Sequence, residues 1–524
     1  MPIIVSQKHK KLVVPLAGTE ILFPGAPAGP LPNTILLDHN VANTILLRGL
    51  GHTVPSPMRL YYHFPHPADE PPFETQYDTC RLMSENPRCY NLNDKGTGKT
   101  RTALWTWDYL YGTGMCGKLL VVAPLSTLHF TWAAEVFKIG LNRKVAVLHG
   151  TKKQRLEGLA SDADIYVINH DGFKVIGKEI AERIDITALC LDELAVYRNN
   201  SDRSKQMRKA AQRFDIVWGM TGSPMPQEPT DVWAQAKIVR PNSVSKYRKQ
   251  TRDLLMMQIS QYLWKPRADA VENAFSILQP AVRYALDDVT ELPETIYRTI
   301  DVELSAQQRR THKKVKDELV ALVKNKTINA SNAGVALNKL LQVAGGWVYT
   351  KNPDFVRLDA APRMAALITE IQSAAHKVIV FIPWIHTIEG IAEVFDRLDV
   401  GFKYLKIHES SQSREEVLHQ FQNVTDPNDP RYAKVLLVHP RMVHHGVTLT
   451  AADTVIWYCP YLSYEVYDQA NSRVIRAGQK HKQQILHMQA TKEETYCYQV
   501  LGAKERLQDK LLDLLENQTA ESVR

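Results

Sequence analysis

The ten residues Asn91–Thr100, NLNDKGTGKT, constrain this chain more than any other stretch. Cys89, Tyr90 and Leu92 predict the end of a buried strand, and a helical pattern begins at Lys99. Gly96-Thr97-Gly98 lies between them. A strand, a tight glycine turn and a helix start together make a phosphate cradle. N–H groups of the first helical turn point at the anion, and the helix dipole favours its charge. Glycine serves where the backbone takes positive φ and approaches a ligand closely. On this reading Lys99 reaches the β/γ-phosphates of a nucleoside triphosphate and the Thr100 hydroxyl binds Mg²⁺. Asn93, Asp94, Lys95, Gly96, Thr97 and Gly98 complete the loop. The full P-loop pattern wants glycine six residues before the lysine. Asn93 stands there, which leaves the shorter G-x-G-K-T form. The competing reading is a glycine turn before a helix with a solvated lysine.

The surrounding pattern favours the cradle. KLLVVAP (118–124) is a continuous apolar run, the mark of a strand buried on both faces. KVAVLHG, DIYVINH, ALCLDE and IVWGMTG follow as strands, separated by helical spacings such as Leu128, Trp132, Val136 and Ile139. Strand and helix in strict turn predict a parallel sheet covered by helices. Ligands of such sheets lie beyond the carboxyl ends of the strands, where NLND, APLS, NHDG, LDEL and TGSP fall. A second alternation starts near residue 363, with KVIVFIP, FKYLKIH, AKVLLVHP, DTVIWYCP and QQILHMQA as strands. The expected organisation is α/β: an accessory domain over 1–68, a first lobe over 69–285 and a second over 286–524. Residues 245–285 read as helical. The second lobe has a basic helical insertion near 300–350 and an amphipathic helix over Lys492–Asn517. Only the first lobe carries a P-loop.

With 524 residues there is material for two or three domains. The 64 Lys and Arg against 56 Asp and Glu give +8, which permits a polyanionic partner without requiring one. The six cysteines form no C-x-x-C pair, so neither a zinc ribbon nor a disulfide framework is indicated. Reduced core thiols fit a cytoplasmic setting. The apolar stretch after KHKK is broken by Pro15, Glu20 and Pro24, unlike a signal peptide, and no apolar run reaches the ~18–20 residues of a membrane span.

ATP hydrolysis at a P-loop needs a carboxylate for Mg²⁺ and a base for the attacking water. Asp192 and Glu193, after the apolar run Ala188–Leu191, are placed for these tasks. A strand that merely ends in Asp-Glu is the bland alternative. Charge on the transferred phosphoryl group also needs an arginine, worth ~10³–10⁵ in rate in GTPases. Arg473 and Arg476, in QANSRVIRAGQ, are three apart and so predicted on one helix face, near an end that Gly478 would set. Gln76, in FETQ, carries an amide able both to donate to and to accept from an adenine edge. Seen alone, such arginines and such a glutamine are more often solvated surface residues.

Taken together these segments resemble the Swi/Snf-like branch of superfamily-two helicases. KLLVVAPLSTLHFTW is similar to motif Ia, LDELAVYRN to motif II and MTGSPMPQEPTDVW to motif III. KVIVFIPW resembles motif IV, GVTLTAAD motif V and QANSRVIRAGQ motif VI. The match is colinear from about Phe73 to the C-terminus. It implies two RecA-like lobes, with ATP in a cleft and DNA across both. Gln76 would then read adenine, Asp192 and Thr100 hold Mg²⁺, Glu193 activate water, and Arg473 and Arg476 act as arginine fingers. Pro124, Ser126, His170, Gly172, Arg441, Gly446, Thr448 and Thr450 would track DNA phosphates, contacts that position without reading sequence. Thr221, Ser223 and Gln469 would couple the motifs. There are departures: Ala195 and Ile475 stand where histidine is usual, and His444 and His445 where glycine and an aliphatic residue are common. The compact form resembles helicase-like proteins of tailed bacteriophages. The resemblance implies a DNA translocase in replication, recombination or repair, with proteins of those processes as expected partners of the N-terminal segment. An RNA helicase, or an ATP-gated clamp that does not move, stays open at this point.

Overall fold

The computed structural model describes residues 2–16, 22–260, 263–289, 293–324, 330–349, 355–407, 414–443, 448–476 and 479–504. The chain divides into two compact units, with the break along the sequence between Val289 and Thr290.

The first unit opens with an antiparallel sheet of β1 (Ile4–Ser6), β2 (Lys11–Pro15) and β3 (Thr34–Asp38). Leu12, Val14, Ile35 and Leu37 join Leu47 and Val54 in a small core. That core is too small to hold 68 residues by itself. Val41, Met58 and Phe64 sink instead into the main core of the lobe, beside Trp105 and Trp107. The Trp105 indole donates to the Pro65 carbonyl at 2.9 Å, and the Tyr62 hydroxyl to Asp108 at 2.8 Å. Residues 1–68, expected as a separate accessory domain, are therefore part of the same compact unit as the first lobe.

The lobe is built on β4 (Arg88–Asn91), β5 (Lys118–Ala123), β6 (Val145–Leu148), β7 (Ile165–Asn169), β8 (Ile186–Asp192) and β9 (Ile216–Met220). Residues 245–285 are not uniformly helical as expected. Helices Arg248–Leu255 and Ala270–Ile277 flank an antiparallel ladder of β10 (Met256–Gln258) and β11 (Trp264–Pro266). The short β12 (Ala281–Val282) then pairs with β4. β10 and β11 are too short and too exposed to leave a periodic signal, and β12, though buried, has only two residues. The main sheet has seven strands in the order β12-β4-β9-β8-β5-β7-β6, every neighbouring pair parallel. Leu119–Ala123, Ala188–Leu191 and Ile216–Met220 are wholly buried, as strands covered on both faces must be.

The second unit holds a six-stranded parallel sheet. Its strands are β13 (Thr295–Asp301), β16 (Lys377–Phe381), β17 (Tyr404–Ile407), β18 (Val435–Val438), β19 (Ala452–Trp457) and β20 (Gln483–Gln489), after the hairpin of β14 (Trp347–Tyr349) and β15 (Phe355–Arg357). The order is β13-β20-β19-β16-β18-β17. Helices Ala306–Lys324 and Ala330–Gly345 form the expected insertion. Of the expected C-terminal helix, residues 492–504 are helical, and the rest lies outside the described residues. Two lobes of this topology, each a parallel sheet with helical crossovers, are RecA-like.

Arg363 and Glu494 form an ion pair at 2.6 Å with exposures of 1 % and 0 %. Arg363 also donates to the Tyr458 carbonyl, and Glu494 caps the amides of Ala490 and Thr491. Removing one partner strands the other charge in a dry interior. Glu494→Ala is expected to cost the second unit about 3–5 kcal/mol, read as an earlier urea transition. The apolar pair Arg363→Met with Glu494→Leu should recover most of that loss.

Candidate active site

The site grows from one register row. Asn91 of β4 stands opposite Met220 of β9, and Met220 opposite Asp192 of β8. Three adjacent parallel strands therefore end level, about 5 Å apart each. Their next residues are the glycine loop, Thr221 and Glu193.

The loop after β4 has the cradle geometry expected from the sequence. Gly96 and Gly98 hold φ of 92° and 83°, and helix Lys99–Gly112 starts directly after Gly98. A Cβ at Gly98 would fall 2.1 Å from Gln76 Nε2. The Lys99 ammonium curls inside the loop, donating to the Asn93 and Asp94 carbonyls at 2.7 and 2.8 Å. Burial lowers its pKa to about 8, against the pull of Glu193, Asp94 and Asp192. Thr97 is buried and donates from its hydroxyl to the Asp94 carbonyl. Lys95 and Thr100 are half-buried on the same loop.

Gln76, which the resemblance assigns to adenine, is not a solvated surface residue. It is 3 % exposed, accepts from the Phe73 amide at 3.0 Å and donates to the Thr97 carbonyl at 3.1 Å. It caps the Phe73 amide at the start of helix Glu74–Glu85 and braces the loop through Thr97. One amide hydrogen and one lone pair stay in excess of these two bonds.

Burial raises the Asp192 carboxyl to about 6, partly offset by the Trp132 indole, which donates to its Oδ2 at 2.9 Å. Trp132 reaches it because Leu128–Ala133 is a π-turn, a distortion common at functional sites. Periodicity placed Trp132 only on an apolar helix face. Glu193 adopts the left-handed conformation, φ 55° and ψ 55°, at a cost of ~1–3 kcal/mol for a residue with a Cβ. Thr221 Oγ1 donates to Glu193 Oε1 at 3.3 Å and accepts from the Ser223 amide at 3.2 Å. Ala195 is fully buried in the turn after Glu193, so the departure from histidine is a packing residue.

No group of three His, Cys, Asp or Glu side chains able to hold a metal occurs among the described residues. A divalent ion here would share oxygens with nucleotide phosphates, as Mg²⁺ characteristically does. The donor set of Thr100 and Asp192, a hydroxyl and a carboxylate whose charge is penalised by burial, fits such an ion.

The residues expected along DNA divide. Pro124 is buried. His170 is 7 % exposed, with Nδ1 at 2.9 Å from the Tyr197 hydroxyl. A Cβ at Gly172 would lie 2.0 Å from Arg155 Nη1. None of the three has an exposed side chain to offer a phosphate; His170 and Gly172 face inward at the start of helix His170–Glu182, and Pro124 is buried at the end of β5. Ser126 is half-buried. In the second unit Arg441 is exposed above the Tyr461 ring, Thr448 is exposed, and Thr450 accepts from Gln422 at 3.0 Å. Gly446, with His444 and His445, lies outside the described residues. Gln469 is 2 % exposed.

Arg473 and Arg476 are not on a helix face as expected. Helix Tyr464–Asn471 ends earlier, where the Asn471 side chain accepts from the Trp457 indole at 3.0 Å and the chain tightens into turns. Arg476 donates to Thr448 Oγ1 at 3.0 Å, and the Arg473 carbonyl accepts from Leu449 at 2.9 Å. The turn thus ties the two arginines to the segment resembling motif V. Ile475 packs on the apolar core beside it.

Glycine cradle, lysine and paired carboxylates level on a parallel sheet define a P-loop nucleotide hydrolase. Residues 81–344 match the SNF2-related domain, and residues 362–478 the helicase conserved C-terminal domain. The chain belongs to the SNF2-related family, a Swi/Snf-like branch of superfamily two, and is a nucleic-acid-dependent ATPase. Protein p41 of Acyrthosiphon pisum secondary endosymbiont phage 1 is 25 % identical over 80 % of this chain and 93 % of its own length. The ATP-dependent DNA helicase DDM1 of Arabidopsis thaliana is 23 % identical over 73 % of this chain, which spans only 54 % of that relative. The Sulfolobus solfataricus SWI2/SNF2 ATPase core in complex with dsDNA is 18 % identical, covering 87 % of this chain and 96 % of its own at a TM-score of 0.39. No helix among the described residues is long and apolar enough to cross a membrane.

Two outcomes follow from this geometry. Trp132→Phe keeps a ring but removes the N–H to Asp192, and is expected to raise the half-saturating Mg²⁺ concentration of ATPase several-fold. Burial pushes His170 down to about 3 from an ordinary 6.5. Its neutral form then contributes stability that is complete above pH 6.5 and is lost as the pH falls toward 3. His170→Asn should show a shallower fall of melting temperature between pH 7 and 5 than the parent.

Proposed function

We propose that this chain is an ATP-driven DNA translocase that remodels forked or branched DNA in replication, recombination or repair. The observation that carries the catalytic half is the level row of Asn91, Met220 and Asp192, which gathers loop, Thr221 and Glu193 at one sheet edge. DNA as the track is supported by the family and by the Arabidopsis relative's description as a DNA helicase. The excess of basic residues agrees with it.

In this reading the loop amides and Lys99 hold the phosphates, and Gln76 offers its remaining amide valences to adenine. Thr100 and Asp192 would hold Mg²⁺, which when bound neutralises phosphate charge. Glu193 takes a proton from the attacking water. Its strained backbone aims the carboxylate out of the strand, and Thr221 fixes one oxygen. Ser223 and Gln469 relay the state of the site to neighbouring motifs. Arg473 and Arg476 compensate charge on the transferred group, and Ser126, Arg441, Thr448 and Thr450, with Gly446, contact the DNA backbone. Among the positions first assigned to DNA, Pro124, His170 and Gly172 support these contacts from beneath. The phage relative fits a setting in the cytoplasm of an infected cell.

The test is the ATPase rate with no nucleic acid, single-stranded, duplex and forked DNA, and RNA, run beside Glu193→Gln. Stimulation by duplex or forked DNA is expected, with a fall of roughly 10²–10⁴ in the variant and retained ATP binding. Preference for RNA would move the assignment to RNA remodelling. Stimulation without displacement of a triplex-forming strand would leave a clamp.

A further inference from the structure

The loop's departure from glycine has a structural use. Asn93 and Asp94 send their side chains away from the cradle, toward the segment by which the chain leaves the first unit. Asn93 Oδ1 accepts from the Tyr284 amide at 2.9 Å, and the Asp94 amide donates to the Tyr284 carbonyl at 3.0 Å. Asp94 Oδ2 accepts from the Leu286 amide at 3.1 Å. Asp94 Oδ1 pairs with Arg283 at 2.7 Å, and that guanidinium, 4 % exposed, also donates to the Leu92 carbonyl at 3.2 Å. The Leu286 side chain lies beneath the turn, 3.3 Å from where a Cβ on Gly96 would stand. Three residues after Leu286 the first unit ends, at Val289.

We propose that Arg283 and the amides of Tyr284 and Leu286 are positioning groups for the nucleotide, and that Asn93 and Asp94 make the seating of this exit segment depend on the phosphate loop. The proposal rests on the nucleotide-binding reading of that loop. The same two carbonyls that receive Lys99, those of Asn93 and Asp94, belong to the residues whose side chains hold the exit segment. A phosphate that draws the Lys99 ammonium toward itself changes the load on these two peptides. The two peptides are in turn fixed by Arg283, Tyr284 and Leu286. Linkage then runs both ways: nucleotide firms the exit segment, and a loosened exit segment weakens nucleotide binding by the same factor. Residues 283–289 lead into the second unit, so this tether places the state of the loop at the start of the connection between lobes.

The experiment uses the full chain, with the fluorescent nucleotide mant-ADP for affinity and hydrogen exchange of residues 283–289 with and without ADP and Mg²⁺. ADP should slow exchange at Tyr284 and Leu286 in the parent. Arg283→Met, which keeps the buried volume, should weaken mant-ADP about 5–10-fold, in the typical range of coupling between linked sites, and abolish the nucleotide-dependent part of the protection. Arg283→Lys should restore part of both. Asp288→Ala removes only the exposed carboxylate that accepts from the Ala285 amide and should leave affinity and protection unchanged, which separates the tether from general loosening of the segment. Equal exchange with and without ADP in a parent that binds mant-ADP would overturn the tether alone. So would an Arg283→Met protein with unchanged affinity. A parent that binds no mant-ADP would remove the nucleotide reading and the tether together.

Discussion

The structure depends on hydrogen-bonded register between parallel strands. β4, β9 and β8 are neighbours in the sheet although β5, β6 and β7 lie between β4 and β8 in sequence. A one-residue slip of β8 would turn the alternation of its side chains to the opposite face. It would move Asp192 away from the Trp132 indole and aim Glu193 elsewhere. The apolar runs of the sheet, buried on both faces, make such a slip costly at every position at once. Chemistry at the edge is thus held by packing several residues behind it.

The edge itself is a balance of penalties. Asp192 is raised and Lys99 lowered by the same cause, exclusion of water, and each is the other's partial remedy. The site stores unfavourable electrostatics, a left-handed glutamate and a lysine turned onto carbonyl oxygens. Such features persist only where the surroundings over-determine them. A bound phosphate and cation would relieve several of them together.

Periodicity carried most of the fold. Short apolar runs such as Leu119–Ala123 and Val435–Val438, rich in valine and bounded by breaks, announce strands buried on both faces. The loop was legible because its positive φ at Gly96 and Gly98 restricts which residues can stand there, and Asp192 and Glu193 because they end an apolar run on the same sheet. Short-range patterns do not reveal partners distant in sequence. β12 has two residues and no signal of its own, and Arg283 and Asp94 are unremarkable until the sheet brings them together. Trp132 looked like an ordinary apolar position because a π-turn shifts its direction without changing its spacing. The early end of helix Tyr464–Asn471 was hidden because Arg473 and Arg476 are good helix formers, and a buried asparagine bond outweighed propensity.

The closing of the sheet by β12 also sets an order of assembly. The amide of Tyr284 reaches Asn93 across 191 residues of sequence. At ~5–20 residues per second, a ribosome needs roughly 10–40 s to travel from one to the other. For that interval the phosphate loop is chemically complete but lacks its outer wall. Binding competence should therefore arrive abruptly, late in synthesis of the first lobe, when the last strand docks and the loop is no longer an edge.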